Sequence, residues 1–375
     1  MSISRRKMLH GIGAGTVAAI AMPRIATGHP LSFQDGAPAS GAIHLDRNEN
    51  PYGPPESAVA AMRESLKSPN RYPDSSVFQK KIAEHHGVAP EQVVLGCGST
   101  EILRATVDAF LTPGTKLVIA TPTCPILPSF ARQKGVEVVE VPLTREYVHD
   151  LPAMLARCDN STRLVYICNP NNPTGTLAAR QDLDEFLHKL PSHIPVMIDE
   201  AYHDYSAVTP SSTSFLEQPA GDDRTLVTRT FSKLYGLAGL RIGYAVAPKM
   251  LAARVSQFCL PFGENSVGIA AAIAALDDKD FVSTTADRNR ADKQRFFNSA
   301  DVRYIRITDS QANFTLVKLD NPIDKVIAHF RDNGIFVGPR FPGLDEFLRV
   351  SIGCPDDTKA FWRVWDMLPH KPVHH

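Results

Sequence analysis

The chain of 375 residues lacks several features that each mark a broad class of protein. Its 40 basic and 40 acidic residues cancel, so no net field gathers nucleic acid or a membrane surface. Its six cysteines contain no C-x-x-C pair and are too sparse for a disulfide scaffold, so we interpret them as small buried side chains. There is no tandem repeat or long low-complexity tract. We therefore expect two lobes that recognise a small molecule at a local site, with no nucleic-acid partner and no metal site.

Long hydrophobic runs are also missing, and the N-terminus illustrates this. Residues 4–7, Ser-Arg-Arg-Lys, precede a weakly apolar run from Gly11 to about Ala21, and Pro23 follows. That run has about half of the ~20 residues that a membrane-spanning helix needs. We therefore predict an export signal at residues 1–28, with a mature protein free of the membrane. The paired arginines resemble a twin-arginine signal, which implies periplasmic delivery of a folded protein. A basic tail or an uncleaved anchor is the alternative.

Between Gln92 and Pro248 short β-rich runs alternate with longer helical stretches. Several of these runs are almost entirely apolar, as expected for strands that are covered on both faces. The pattern predicts an α/β fold with a mostly parallel seven-stranded sheet covered by helices. Ligands of such sheets bind beyond the carboxyl ends of the strands. The strand candidates are Val93–Leu95, Leu117–Ala120, Val136–Val141, Leu164–Ile167, Val196–Ile198, Leu226–Thr228 and Ile242–Val246.

The remaining sequence predicts an N-terminal arm (residues 41–70) and a smaller α/β C-terminal domain (residues 266–369) around a large domain at residues 71–265. In the small domain, alanine-rich sequence from Ser266 toward Phe297 predicts one long helix. Strands are expected at Asn313–Leu319 and Phe347–Ile352, and Asp356 is a candidate cap for a final helix. The site should lie between the two larger domains.

The segment Thr230–Tyr244 reads TFSKLYGLAGLRIGY and is the most informative part of the chain. Lys233 follows a predicted strand directly, in a turn rich in Ser and Gly, which is unusual for a merely solvated charge. A lysine that forms a Schiff base must react as a neutral amine, which desolvation favours. Eight positions later, the guanidinium of Arg241 could bind a phosphate with two hydrogen bonds.

This segment resembles the signature of class I/II aminotransferases, and the chain is most similar to the histidinol-phosphate aminotransferases. The resemblance extends from about Leu45 to Gly353. It implies a fold type I enzyme that uses pyridoxal 5'-phosphate (PLP), usually a homodimer with its site at the subunit interface. It also implies that Lys233 forms the Schiff base with PLP, and that Ser232 and Arg241 help to bind the cofactor.

Two further motifs follow predicted strands. In VMIDEAY, Asp199 ends a buried strand, where a carboxylate is costly without a cation such as a protonated pyridine nitrogen. The resemblance implies that Asp199 pairs with this nitrogen and that Tyr202 hydrogen-bonds the ring hydroxyl. Alternatively, Asp199 merely caps the segment that follows it.

The motif NPNNPTG also follows a predicted strand. The resemblance implies that Asn172 hydrogen-bonds the ring oxygen, although tight turns use the same residues.

The cofactor phosphate has a second predicted contact in GCGSTE. Glycines let the backbone approach a phosphate, and a helix start offers free N–H groups. By resemblance, Gly98, Ser99 and Thr100 bind the phosphate. Tyr72, in the sequence Arg-Tyr-Pro, resembles a tyrosine that reaches the phosphate of the partner subunit, so it is also a dimer prediction.

The substrate side is predicted from FLRVSIG. Arg349 lies between apolar residues of a strand, and the geometry of its planar guanidinium matches that of an α-carboxylate. The resemblance implies that Arg349 binds the α-carboxylate of the substrate. Arg340 is a second candidate substrate-binding residue, because it lies close in sequence to the position of a second arginine of the family, in a loop of different length. Asn50 and Tyr52, in NENPYGP, resemble the segment that lines the substrate entrance.

One departure concerns Cys124, which stands where the family normally has an aromatic residue that stacks on the cofactor. We expect an aminotransferase that moves an amino group between an amino acid, or a similar amine, and a 2-oxo acid. The departure leaves open a related PLP-dependent decarboxylase, cyclase or lyase of the same subfamily, similar to threonine-phosphate decarboxylases. A PLP-binding protein without turnover is a third alternative.

Overall fold

The computed structural model describes residues 41–206, 213–217 and 223–369, so the predicted signal at residues 1–28 lies outside the described residues. No helix in these ranges is long and apolar enough to cross a membrane. The strands and helices follow in this order: β1 (Ile43–Leu45), α1 (Glu56–Ser65), α2 (Ser75–His86), β2 (Val93–Cys97), α3 (Ser99–Phe110), β3 (Lys116–Thr121), α4 (Ile126–Gln133), β4 (Glu137–Pro142), α5 (Leu151–Ala156), β5 (Thr162–Cys168), α6 (Arg180–Lys189), β6 (Val196–Asp199), α7 (His203–Ser206), β7 (Thr225–Thr230), β8 (Ile242–Val246), α8 (Lys249–Ser256), α9 (Ser266–Asp277), α10 (Lys279–Val302), β9 (Phe314–Lys318), α11 (Ile323–Asp332), β10 (Ile335–Val337), β11 (Phe347–Ser351) and α12 (Pro355–Trp365).

The seven predicted strands form one sheet in the order β2-β8-β7-β6-β5-β3-β4, which confirms the predicted fold class. Only β8 runs antiparallel to its neighbours within this sheet. Both faces are covered: Val165 and Ile198 lie in the core on one side, and Leu164 and Met197 in the core on the other. This double burial explains the nearly unbroken apolar runs of the sequence.

A separate core forms in the C-terminal part of the chain, around Phe330 and Phe361. There β11 pairs with β9 in antiparallel fashion, and β1 of the N-terminal arm pairs in parallel with β10, so Leu45 joins this core. Helix α9 instead buries Ala271 and Ala272 in the core of the large sheet. The predicted boundaries 41–70, 71–265 and 266–369 stay predictions.

The single long helix predicted from Ser266 toward Phe297 is wrong, because α9 and α10 are separate. Asp278 between them is not helical, and its side chain accepts a hydrogen bond of 3.0 Å from the backbone N–H of Phe281. This cap satisfies one of the donors that a helix start leaves free, so a new helix begins there.

Asp356 does not cap the final helix. Helix α12 begins at Pro355, whose fixed φ suits a first helical position, and Cys354 is the N-cap residue. The Asp357 carboxylate accepts a hydrogen bond from the Cys354 N–H at 2.9 Å, which closes the first turn. Phe361, Trp362 and Trp365 form the buried face of α12, and Leu368, just after the helix, is also buried.

Candidate active site

Lys233 lies in the turn after β7, at the edge of the sheet where the carboxyl ends of the parallel strands meet. Its Nζ donates a hydrogen bond of 2.9 Å to the backbone oxygen of Arg47 and lies 5.7 Å from the centre of the Tyr202 ring. Burial, followed by the positive charge of Arg349, lowers the pKa of Lys233 to about 8. The amine is therefore much more available in its neutral, nucleophilic form than an exposed lysine.

Asp199 ends β6, the neighbouring strand, and is buried. Its Oδ2 accepts a hydrogen bond from the Tyr166 hydroxyl at 2.9 Å, and its Oδ1 accepts one from the Ala201 N–H at 3.2 Å. Burial raises the pKa of Asp199 to about 6, although these two donors oppose the shift. The carboxylate thus caps the following turn, and it also lacks a cationic partner among the described residues, which a pyridinium would supply.

Tyr202 and Asn172 belong to one hydrogen-bond network with the substrate-side arginine. The Tyr202 hydroxyl accepts bonds from Asn48 Nδ2 at 3.0 Å and from Asn172 Nδ2 at 3.4 Å. The amide oxygen of Asn172 accepts a bond of 2.7 Å from Arg349 Nη1. The structure thus brings three predicted residues, from three different segments, into direct contact.

Arg349, on β11, is 6% exposed, yet no described carboxylate forms an ion pair with it. Nη2 donates to the Asp46 backbone oxygen, and Nε has no hydrogen-bond partner among the described residues. The rings of Phe314 and Phe341 lie 5.6 Å and 5.1 Å from the guanidinium carbon. Burial lowers the pKa of Arg349 from its usual value. A desolvated guanidinium with a donor left over can bind an anion, and the role of Arg349 in substrate binding stays a prediction.

The predicted phosphate site assembles around the start of α3. Gly98, with φ of 72°, precedes Ser99 and Thr100, the first two residues of that helix. A Cβ on Gly98 would lie 2.3 Å from Arg241 Nη2, so only glycine lets the guanidinium come this close. Arg241 also donates a bond of 3.1 Å to Ser232 Oγ. Free helical N–H groups, a guanidinium and a hydroxyl therefore lie together, a donor set that suits a phosphate.

The predicted entrance residues contact the lysine turn and α10. Asn50 Nδ2 donates to the Leu234 backbone oxygen at 2.7 Å, and the Tyr52 hydroxyl donates to Asp292 at 2.7 Å. The Arg288 guanidinium lies 4.4 Å from the centre of the Tyr52 ring. Asn50 thus ties the N-terminal arm to the turn that carries the lysine, and Tyr52 ties it to α10.

Two predicted residues do not join this cluster. Arg340 is exposed, and its guanidinium pairs with Asp345, so this placement gives no support to a substrate contact. Tyr72 is 80% exposed and packs on Phe262, with ring centres 4.9 Å apart. Its predicted contact with a partner subunit stays a prediction.

Sequence reasoning missed two residues that contact the cluster. Tyr166 looks like an ordinary member of an apolar strand, and only the folded sheet shows that its hydroxyl reaches Asp199 on the neighbouring strand. Asn48 has φ of 54°, and its N–H donates to Ser351 Oγ at 2.9 Å. Its position in an Asn-rich turn was the only signal, because asparagine tolerates left-handed backbone.

The groups present fit PLP. A buried carboxylate without a cation suits the ring nitrogen, the glycine-lined donors at α3 suit the phosphate, and the free Nε of Arg349 suits a substrate anion. In the described part of the chain no group of three His, Cys, Asp or Glu side chains could hold a metal ion.

Comparison with known proteins agrees with this geometry. Residues 40–360 match the family described as "Aminotransferase class I and II". A histidinol-phosphate aminotransferase of Geobacillus sp. (strain WCH70) is 37% identical over 84% of this chain and 87% of its own length. Histidinol-phosphate aminotransferase 1 of Cupriavidus pinatubonensis is 39% identical over 89% of this chain and 91% of its own.

Among solved structures, the histidinol-phosphate aminotransferase of Sinorhizobium meliloti in complex with pyridoxal-5'-phosphate superposes with a TM-score of 0.80. The match covers 88% of this chain and 90% of that one, at 26% identity. The chain therefore belongs to the class I and II aminotransferase family and is a PLP-dependent aminotransferase.

Proposed function

We propose that Lys233 holds the cofactor and moves the proton during amino transfer, and that Arg349 binds the anionic group of the amino donor. The observation that carries this proposal is the continuous network from Tyr202 through Asn172 to Arg349 beside the Lys233 amine. One set of contacts thereby links the groups suited to the cofactor with the group suited to a substrate.

When bound, PLP supplies a conjugated ring that accepts electron density from the α-carbon of the donor. With PLP bound, the Asp199 carboxylate would pair with the ring nitrogen, and the Tyr202 hydroxyl and the Asn172 amide N–H would hydrogen-bond the ring oxygen. The lowered pKa of Lys233 lets its Nζ take the proton from the donor α-carbon near neutral pH and return it. Arg349 fixes the donor, so that the bond to be broken keeps one orientation.

For the substrate, we propose an amine that carries a carboxylate or a phosphate ester, with a 2-oxo acid as acceptor. The relatives are named for histidinol phosphate, and a buried guanidinium accepts either anion. The departure at Cys124 supports a donor preference different from theirs, since a buried thiol within electrostatic range of Asp199 and Lys233 stands where the family normally stacks an aromatic ring on the cofactor. Arg340, paired at the surface, is not part of the proposed site.

Amino transfer from a panel of amino acids and histidinol phosphate, followed by the visible absorption of the PLP-loaded protein, tests this proposal. Conversion of the lysine-bound cofactor to its amino form by particular donors supports it. Carbon dioxide release without any need for a 2-oxo acid would favour the decarboxylase alternative instead.

We propose a homodimer that uses the surface around Tyr72 and Phe262. The two exposed rings pack on each other, and Ser75 Oγ donates to Glu264 at 3.1 Å. These contacts join the start of α2 and the residues before it to the segment before α9. The Leu260 N–H donates to Glu101 in the first turn of α3, so this surface adjoins the proposed phosphate site. Exposed aromatic residues are enriched at protein interfaces.

We also propose export through the signal at residues 1–28, with the mature enzyme in the periplasm. The charged start with paired arginines and the short apolar run support this proposal.

A further inference from the structure

Tyr166 contacts the carboxylate that faces the cofactor ring, yet it has no place in the chemistry described so far. It lies in the middle of β5 and is fully buried. Its hydroxyl donates to Asp199 Oδ2 at 2.9 Å, while the backbone of Ala201 bonds the other oxygen. In the folded protein, this phenol is thus the only described side chain that donates a hydrogen bond to the Asp199 carboxylate.

The register of the sheet fixes this contact. In the parallel pair β5 and β6, Tyr166 lies opposite Met197, and Cys168 lies opposite Asp199. A rigid strand pair at the centre of a sheet holds a hydroxyl more accurately than a loop can. Because burial raises the pKa of Tyr166 well above its usual value, the phenol stays protonated and remains a donor.

Several other titratable groups surround Asp199. Cys168 on β5 and Cys124 in the segment before α4 are buried thiols whose pKa values burial raises, so both stay neutral near pH 7. Glu200 is the next residue in the chain, and Lys233 approaches from the turn after β7. The carboxylate of Glu200 accepts a bond of 2.8 Å from Arg229, so its charge is already compensated by that partner.

We propose that Tyr166 is a positioning residue that keeps Asp199 ionised and aimed at the cofactor ring nitrogen. This inference rests on the proposed role of Asp199. A hydrogen bond to the charged form of a carboxyl favours ionisation, while the apolar surroundings oppose it. Without the phenol, Asp199 takes up a proton more readily, and the neutral carboxyl would form no ion pair with a protonated ring nitrogen.

The test uses the apoenzyme, so that it does not depend on turnover. The free energy of unfolding by urea is measured at pH 5 and pH 7.5 for the wild type and Y166F. Below its folded pKa, Asp199 is protonated in both proteins, and the phenol has little charge to stabilise. As pH rises through about 6, Asp199 of the wild type loses its proton, and the phenol stabilises the resulting carboxylate. Y166F lacks this stabilisation, so its loss of unfolding free energy relative to the wild type must grow with pH.

Two control variants isolate the charge of Asp199. In a D199N background nothing titrates at this position, so the effect of Y166F must become independent of pH. Y202F removes another buried hydroxyl that does not bond Asp199, and its effect should not grow over the same interval. Y166M offers a second side chain without a hydroxyl if Y166F does not fold.

A second readout is the dissociation constant for PLP. One hydrogen bond to a charged group corresponds to about a tenfold change, so Y166F should bind PLP about tenfold more weakly at pH 7.5. Equal destabilisation at both pH values, with unchanged PLP affinity, would reduce Tyr166 to a packing residue and overturn the inference. A wild type without amino transfer activity would instead contradict the proposed function, so the two failures are distinguishable.

Discussion

At the scale of single residues, this site keeps three ionisable side chains that form no ion pair within the described part of the chain. Neighbouring groups compensate only part of the charge on Lys233, Asp199 and Arg349. Burial shifts the pKa of each side chain in the direction that favours its neutral form. Such an arrangement costs stability, and proteins keep it where a ligand supplies the missing charge. The apoenzyme should therefore become more stable when one of these groups is made neutral.

Lys233→Met tests this expectation. The folded pKa of Lys233 is about 8, while the unfolded value is about 10.4, so the unfolded chain binds more protons between these pH values. The resulting destabilisation is complete below pH 8 and disappears above 10.4. The variant apoenzyme should melt on the order of 2–4 °C higher than the wild type at pH 7, with a difference that shrinks toward pH 10.5.

Lys249→Met, at a lysine whose side chain is 64% exposed, is the matched control and should show no such pH-dependent gain. A melting-temperature difference for Lys233→Met that stays the same from pH 7 to pH 10.5 would contradict the assigned pKa.

At the scale of elements, the sheet edge and the start of α3 form the site by close approach of backbone. A Cβ on Gly243 of β8 would lie 2.3 Å from the Ser99 nitrogen, so glycine there lets the strand touch the helix start. Gly98 performs the same function for Arg241. The Gly-rich motifs were visible in the sequence, but which backbone approaches which side chain depends on the fold.

The strands and the cofactor motifs were predictable because their signals are local. Apolar runs such as Leu164–Ile167 are typical of doubly covered strands. Asp199 follows such a run directly, and Lys233 lies in a motif rich in Ser and Gly just after another strand. Helix boundaries near Asp278 were not predictable, because a single capping side chain overrides alanine-rich sequence. The bond from Tyr166 to Asp199 depends on strand register, which no local pattern encodes.

At the scale of the whole molecule, the exposed surface around Tyr72 and Phe262 predicts the dimer. The double variant Tyr72→Ser/Phe262→Ser should sediment as a monomer under conditions where the wild type is a dimer, and it should bind PLP more weakly. Tyr304→Ser is the control, since Tyr304 is 93% exposed elsewhere on the chain. A wild type that sediments as a monomer, or a variant dimer of unchanged affinity, would contradict this interface.

Export is a prediction for the full chain. Residues 1–28 fused to a folded fluorescent reporter should carry it to the periplasm of bacterial cells, as measured by fractionation. Replacing both Arg5 and Arg6 by Lys should retain the reporter inside, while Lys7→Gln should not. Retention of the reporter fused to the intact sequence would refute the signal.

The central claim is that Lys233 both holds the cofactor and moves the proton. The most direct measurement compares the visible absorption of the PLP-loaded wild type and Lys233→Ala while amino donors are added. We expect a lysine-bound band only in the wild type, its conversion to the amino form by particular donors, and no more than trace conversion in the variant. Rapid conversion by Lys233→Ala, or a wild type that forms no such band with PLP, would contradict the account.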